Sequence, residues 1–304
     1  MKYILIGSDG FVGQNLVERK FDNYHCFDNG FLQKSLLKDT KFLDITKNLS
    51  VLEDLLKGFD DEFTIINLAA IHHIPYCNEH PEEAMLVNVY GNMRLFELAA
   101  EYKCSNFIFA SSGAVYFPKK TQHLESDIRK GTDVYSATKI LAENYLEDAC
   151  RSLGVPTCVL RFFNIAGQYD LTPHLIPDIV DQIVDIDKNK ISLGNLTTIR
   201  DYICVDDICR VVEHFLRVPS NHIYKVHNVG TGLGLSGTDI FDLLVSLSGT
   251  KKLKVIDQSR FRKSDRPSQI ADTTNLVEVM GGFEFTPIKK SIENYLVWRG
   301  LTII

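Results

Sequence analysis

A doubly wound parallel α/β sheet followed by a smaller C-terminal α/β lobe is the fold this sequence predicts, and three observations carry it. Short β-rich apolar runs alternate with amphipathic helical runs through the first half of the 304 residues. Strands that alternate with helices need crossover connections, which give a parallel sheet covered on both faces. The first apolar run starts almost at residue one and ends in glycines, and after Asn164 the alternation breaks into irregular, proline-containing segments.

In chain order, residues 3–6, 24–27, 64–68, 107–110 and 157–161 read as buried strands, rich in β-branched and aromatic side chains. Between them, 13–20, 51–57, 81–102 and 134–153 carry apolar residues at helical spacing. Residues 171–177 connect to a helix expected near 178–187. A strand near 199–205 leads to a helix capped by Asp206 or Asp207 and running to Arg217. Residues 230–237 read as loop, 238–247 as helix and 286–298 as a last amphipathic helix.

Composition narrows the class. The formal net charge of −6 is opposite to the basic surface that a nucleic-acid partner demands. Seven cysteines (Cys26, Cys77, Cys104, Cys150, Cys158, Cys204 and Cys209) are odd in number and sit mostly in apolar stretches. Buried, reduced thiols in a cytoplasmic protein are expected, rather than a disulfide framework. The N-terminus lacks the longer apolar region of a signal peptide, and no apolar run approaches membrane-spanning length, so no membrane partner is expected.

Gly7, Gly10 and Gly13 follow the first strand in G-x-x-G-x-x-G spacing, with Phe11 and Val12 opening a helix. Such glycines let the backbone approach a pyrophosphate, and the helix start offers N–H groups and a positive dipole end. Asp28 lies fifteen residues after Gly13, at the distance expected for a carboxylate on both adenosine ribose hydroxyls. It would repel a 2′-phosphate, and Asn29 and Gly30 supply no arginine, so NAD(H) is expected over NADP(H). The domains expected are therefore a Rossmann-type NAD-binding domain over 1–165, with 205–232 returning to it, and a substrate-binding lobe over 166–204 and 233–304. Asp44 and Ile45 fit the adenine position, and Leu68, Ala69 and Ala70 are small or apolar residues along which a cofactor could lie. Asn88 reads equally as a cofactor contact or a structural hydrogen bond.

Tyr135 and Lys139 share one face of the helix over 134–153, where a cation favours the phenolate and suits the tyrosine to act as a general base. Ser111 and Ser112 stand where a buried strand emerges at the carboxyl edge of the sheet, the edge at which open α/β sheets bind ligands. Together with the glycine turn and Arg161-Phe162-Phe163-Asn164, this constellation resembles the extended short-chain dehydrogenase/reductase family, and most of all its nucleotide-sugar epimerase and dehydratase branch. Thr198-Ile199-Arg200-Asp201-Tyr202, His227-Asn228-Val229-Gly230-Thr231-Gly232 and Arg266-Pro267 extend the resemblance over essentially the whole chain.

The resemblance implies Ser112, Tyr135 and Lys139 as catalytic triad, Arg200 and Arg266 as candidate ligands of a diphosphate, and His72 or His73, with Asn164, as pocket residues. It departs from the sugar 4,6-dehydratases, which carry an acidic pair where Gly113 and Ala114 stand here. It departs from the 3,5-epimerase/reductases too, whose cysteine is replaced by Ala114, although His174 resembles their second acid/base residue. The expected activity is NAD-dependent epimerisation of a nucleotide-diphosphate sugar, at C4 through a 4-keto sugar. The alternatives are a dehydrogenase or ketoreductase on the same substrates, and a non-catalytic NAD-binding regulator, against which the intact triad speaks. The His-rich run 71–80 fits no zinc spacing, so no metal is expected. Helices over 79–102 and 134–153 imply, by the resemblance, a homodimer through a four-helix bundle.

Overall fold

The structure, a computed structural model, describes residues 1–19, 24–30, 39–218, 222–261 and 266–304. These form two compact units. The first comprises Met1–Phe117, Ile128–Phe162 and Cys209–His227, and the second Pro118–Asp127, Phe163–Ile208 and Asn228–Ile304.

The strands are β1 (Lys2–Ile6), β2 (Tyr24–Asp28), β3 (Thr40–Phe42), β4 (Phe63–Asn67), β5 (Asn106–Ser112), β6 (Thr157–Phe162), β7 (Asn164–Ala166), β8 (Lys190–Leu193), β9 (Ile199–Cys204), β10 (Tyr224–Val229), β11 (Gly234–Ser236), β12 (Leu253–Ile256) and β13 (Ser268–Gln269). Among the described residues seven of them make one sheet in the order β10-β6-β5-β4-β1-β2-β3. The chain builds outward from β1 to β3, then returns to lay β4 on the other flank of β1. Ile6 consequently lies between Phe27 and Asn67, and the carboxyl ends of β1 and β4 part at the point where strand order reverses. Ligands of open α/β sheets bind at such a point.

Both faces of this sheet are covered, which is why its strands read as continuous apolar runs. Ile4, Ile65, Phe107 and Val159 pack with side chains of α2 (Ser50–Lys57), α5 (Asn92–Glu101) and α6 (Val134–Leu153), among them Leu52, Phe96 and Leu146. Each such side chain taken fully out of water contributes about 1.5–3 kcal/mol. Helix α6 has the predicted bounds because both ends are specified. Asp133 and Ser136 form a reciprocal capping box, and Gly154 closes the helix at φ +73°.

Residues 81–102 differ from the single helix expected. They form α4 (Pro81–Met85), a π-helical turn over Leu86–Gly91 and then α5. The helix predicted over 13–20 is α1 (Phe11–Glu18), which starts directly at the glycine turn, and Lys20 lies outside the described residues. A short α3 (Ile74–Glu79) was not expected, and His80 both ends it and opens α4.

In the second unit β9 is central, flanked by β11 and β13 and paired in parallel with β7. Its core joins α7 (Leu175–Val184), α9 (Gly237–Ser248) and, after the short α10 (Thr274–Val279), α11 (Ile288–Trp298) through Ile179, Leu244 and Ile292. Helix α8 (Val205–Arg217) starts two or three residues earlier than a cap at Asp206 or Asp207 would place it. Asp206 and Asp207 therefore lie in its first turn, and the Asp207 carboxylate accepts from Thr286 N and Oγ1 at 2.7 and 2.8 Å.

Candidate active site

The turn after β1 is held by backbone alone. Gly7 N donates to Phe27 O at 2.8 Å, Gly10 N to Gly7 O at 3.3 Å, and Gly7 takes φ +85°. A Cβ on Gly7 would lie 2.8 Å from Ala69 N, and one on Gly13 only 2.3 Å from Gly7 O, so the fold itself requires both glycines. Gly10 is different. Its backbone is extended, at φ −74°, and a Cβ there would meet a single atom, Gly7 O, at 3.4 Å. Gly10 caps α1 with no side-chain hydrogen bond, leaving the N–H groups near half-exposed Phe11 and Val12 without that partner. Open space over a bare helix start fits the pyrophosphate of a dinucleotide.

Asp28 closes the same turn. Its two oxygens accept from Asp9 N at 3.0 Å and Gly30 N at 2.8 Å, which fixes the carboxylate plane beside exposed Asn29. Desolvation pushes its pKa up, with the charge of Asp9 adding to it, against the lowering by these N–H donors. Asp9 itself points inward, accepting from Ser8 Oγ at 3.0 Å and Thr40 Oγ1 at 2.7 Å. Asp44 is also taken: against desolvation, hydrogen bonds from Thr46 and a 3.1 Å ion pair with Lys47 hold it below the usual carboxylate range. Ile45 is buried and its carbonyl accepts from Arg94 at 3.2 Å. The Asp44 carboxylate and the Ile45 carbonyl thus both have partners within the fold.

Leu68, Ala69 and Ala70 continue from β4 as a half-exposed stretch, tied down by Leu68 N to Ile6 O at 2.9 Å and Ala69 N to Asn67 Oδ1 at 3.1 Å. Asn88 has the structural role. Its amide exchanges two hydrogen bonds with the backbone of Ile71, at 2.8 and 2.9 Å, and donates to Thr138 Oγ1 at 3.0 Å. Thr138 donates in turn to the carbonyl of Tyr135 at 2.7 Å, so the π-helical turn braces both the pocket stretch and α6.

At the end of β5, Ser112 Oγ accepts from Ala114 N at 3.1 Å, which leaves its O–H able to donate elsewhere. Lys139 is buried, 2% exposed; its ammonium donates to Ala110 O at 2.7 Å and lies 4.7 Å over the Phe109 ring. Desolvation pushes its pKa down to about 8, against the raising effect of Glu143 and Cys77. Tyr135, half-exposed one turn earlier, packs beside Ile71 and Cys77. His72 is half-exposed and lowered to about 4, by desolvation first and the nearby Lys139 cation second, so it is neutral at pH 7. In the same His-rich run Cys77 donates to Ile71 O at 3.3 Å.

The second unit brings Arg200 and Arg266 together. Arg200 Nη1 donates to the carbonyls of Ile199 and Arg266, both at 2.8 Å, from a strand pairing that sets Gln269 opposite Arg200. Next to Arg200 on β9 stands buried Asp201, which sequence reasoning passed over. It accepts from Thr231 N and Oγ1, Gly232 N and Ala271 N at 2.6–3.1 Å and so ties separate segments of the second unit to one carboxylate. Asn164 lies on β7 opposite Tyr202, and His174 caps α7 without a side-chain hydrogen bond to it.

A glycine turn at the switch point of a seven-stranded parallel sheet, with a carboxylate fixed beside it, is the arrangement of a Rossmann-type dinucleotide-binding fold. The chain belongs to the NAD dependent epimerase/dehydratase family, whose model matches residues 3–230. It is accordingly an NAD-dependent enzyme. The GDP-6-deoxy-D-talose 4-dehydrogenase of Aggregatibacter actinomycetemcomitans is 28% identical, over 96% of each chain. The UDP-glucose 4-epimerase of Lactobacillus helveticus is 26% identical, over 92% of this chain and 91% of its own. Among solved structures, UDP-glucose 4-epimerase of Thermotoga maritima, crystallised with UDP-glucose, superposes with TM-score 0.88 at 23% identity over 99% of both chains.

Proposed function

We propose that the protein is an NAD-dependent epimerase of a nucleotide-diphosphate sugar, acting at C4 by transient oxidation to a 4-keto sugar. What supports it is the set Ser112, Tyr135 and Lys139, carried by the unit that also holds the glycine turn, in a chain of this family. Gly7, Gly10 and Gly13 would leave room for the NAD pyrophosphate, Asp28 would take the ribose hydroxyls, and residues 68–70 would flank the cofactor. Bound NAD supplies the two-electron chemistry, taking a hydride from the sugar carbon and returning it. Tyr135 takes the proton of the sugar hydroxyl, and Lys139 beside it favours the phenolate. Ser112, with one lone pair occupied by Ala114 N, donates its O–H to the oxygen that becomes a carbonyl. Neutral His72 serves as a hydrogen-bonding pocket residue, with Asn164 and His174 further sugar contacts. Arg200 and Arg266 hold the diphosphate, a task that suits planar guanidinium groups.

One observation favours a second reading. The relative from Aggregatibacter is named a 4-dehydrogenase and matches along nearly its full length, so a net oxidation or reduction at the same carbon is the alternative outcome. The two differ in what happens to the nicotinamide. An epimerase incubated with UDP- or GDP-sugars yields the epimer with no net change in the reduced-nicotinamide absorbance. Steady, stoichiometric formation of NADH or its consumption would discard the epimerase and establish the dehydrogenase or ketoreductase.

A cytoplasmic homodimer is part of the same reading. The described cysteines are all buried free thiols, and no helix among the described residues is long and apolar enough to cross a membrane. Met85, Leu86 and Tyr90 (39, 46 and 49% exposed) and Leu141 (44%) put apolar surface on the helical segments expected to pair. Sedimentation of the protein and of Leu86→Arg tests this, the substitution giving a monomer if the bundle is correct.

A further inference from the structure

Glu143 is fully buried, one turn beyond Lys139 on α6, and the reaction proposed above makes no use of it. Its carboxylate is occupied on both oxygens. Oε1 accepts from Ser111 Oγ and from Arg161 Nε at 3.0 Å, and Oε2 from Arg161 Nη2 at 2.6 Å and Arg129 Nη1 at 2.9 Å. Arg161 is steadied from its far side by Tyr116, whose hydroxyl accepts from Nη1 at 2.7 Å and whose ring lies 4.9 Å away.

Two features of this arrangement point beyond packing. Ser111 and Arg161 are partners across β5 and β6, so they grip α6 from adjacent strands. Lys139 grips the residue before Ser111, by its bond to Ala110 O. The helix is thus fastened to the end of β5 at two successive turns, and the next residue of that strand is Ser112. Burying a carboxylate costs several kcal/mol even when paired, and an apolar side chain would dock a helix more cheaply. What an apolar side chain lacks is negative charge one turn from a buried ammonium, on the same helix face.

We propose that Glu143 is a positioning residue for the reaction: it keeps buried Lys139 cationic and fixes the helix that carries Tyr135 against the strand end that carries Ser112. This rests on the reading of Tyr135 and Lys139 given above. The groups around Lys139 are Tyr135 and Glu143 from its own helix, Cys77 from α3, His72 from the stretch after β4, and the Phe109 ring and Ala110 carbonyl from β5. Those that face Glu143 are Ser111, Arg161 and Arg129, with Tyr224 donating to its backbone carbonyl at 3.4 Å. Burial alone pushes Lys139 down, and Glu143 and Cys77 oppose that. Cys77, pushed up to about 11, is a neutral thiol at neutral pH, so the opposing charge there is that of Glu143.

The test follows the Lys139 ammonium by NMR of isotope-labelled lysine side-chain nitrogens in the full-length protein without sugar, the signal assigned by its loss in Lys139→Arg. Glu143→Gln keeps the shape and removes the charge, and Lys139 is expected to lose its proton about one pH unit lower. Arg129→Gln, at a side chain 25% exposed, removes a counter-cation and is expected to move the same titration upward. The alkaline limb of kcat should follow the titration in both variants, and Glu143→Asp should recover part of the shift. A purely structural role would lower kcat at every pH with the limb in place. A Lys139 titration unmoved in both variants overturns the proposal, as does a limb that stays while the titration moves. If Glu143→Gln does not fold, Arg129→Gln decides alone. Absence of turnover by the unsubstituted protein would remove the functional reading instead, since the titration needs no substrate.

Discussion

The ammonium of Lys139 donates at 2.7 Å to the carbonyl oxygen of Ala110, so a buried cation rests against a neutral acceptor. The fold bears a cost for it. Desolvation lowers its pKa from 10.5 to about 8, so between those values the unfolded chain holds more protons than the folded one. Folding stability from this group therefore rises with pH from about 8 to 10.5, and the penalty is fully present below about 8. Lys139→Met is expected to abolish turnover yet raise Tm at pH 7, by about 2 °C or more. Thermal unfolding across the pH range checks this: the gap between the proteins should close as pH climbs, and a lower Tm for the methionine variant would count against it.

Gly10 and Gly13 separate ligand demands from fold demands. Gly10→Ala, a poorer N-cap with no overlap to relieve, is expected to lose only about 1 kcal/mol of stability, while NAD affinity falls by roughly tenfold or more. Gly13→Ala should be destabilised outright, because its Cβ would overlap Gly7 O at 2.3 Å. Denaturant melts paired with NAD titration by calorimetry distinguish the two. Undiminished NAD binding by Gly10→Ala would show that the cofactor does not approach there.

Tyr135→Phe removes a hydroxyl and little else. Turnover should fall roughly 10²–10⁴-fold, the contribution of a positioned acid/base, with NAD affinity nearly unchanged. Single-turnover rates with bound NAD and a reactive nucleotide sugar measure it, and a near-normal rate would exclude this residue as the base.

Asp201 gathers three backbone N–H groups and a hydroxyl in a site with no solvent exposure. Asp201→Ala strands those donors and should cost about 3 kcal/mol or more. Circular dichroism melts report it directly. A loss under about 1 kcal/mol would mean that water replaces the carboxylate.

Five strands of the seven-stranded sheet were legible because burial writes itself as runs of Ile, Phe and Val, as in Phe107-Ile108-Phe109 of β5, whereas β3 and β10, with partly exposed residues, were missed. Helix α6 was legible to the residue because Asp133 and Gly154 mark its ends. Residues 81–102 were not, since apolar spacing does not encode the extra residue that a π-helical turn absorbs at Asn88. The two- to four-residue strands β8, β11, β12 and β13 of the second unit were missed because so few residues set no period. At the site, the glycine turn and the Tyr-x-x-x-Lys pair are local patterns and could be read directly. Glu143 was overlooked because a glutamate in a helix ordinarily faces water. The signal was present in its partner: Arg161 is a charge inside a fully buried strand and demands a counter-charge.

The chain threads each compact unit from three separate segments, and β10 reaches the sheet only after residue 223. Truncating the chain at the end of β7 would therefore remove the strand that shields β6. All six residues of β6 are buried, so its newly bared rim would expose unsatisfied amides amid hydrophobic side chains, a template for intermolecular pairing. Neither half of this enzyme should be obtainable alone in soluble form.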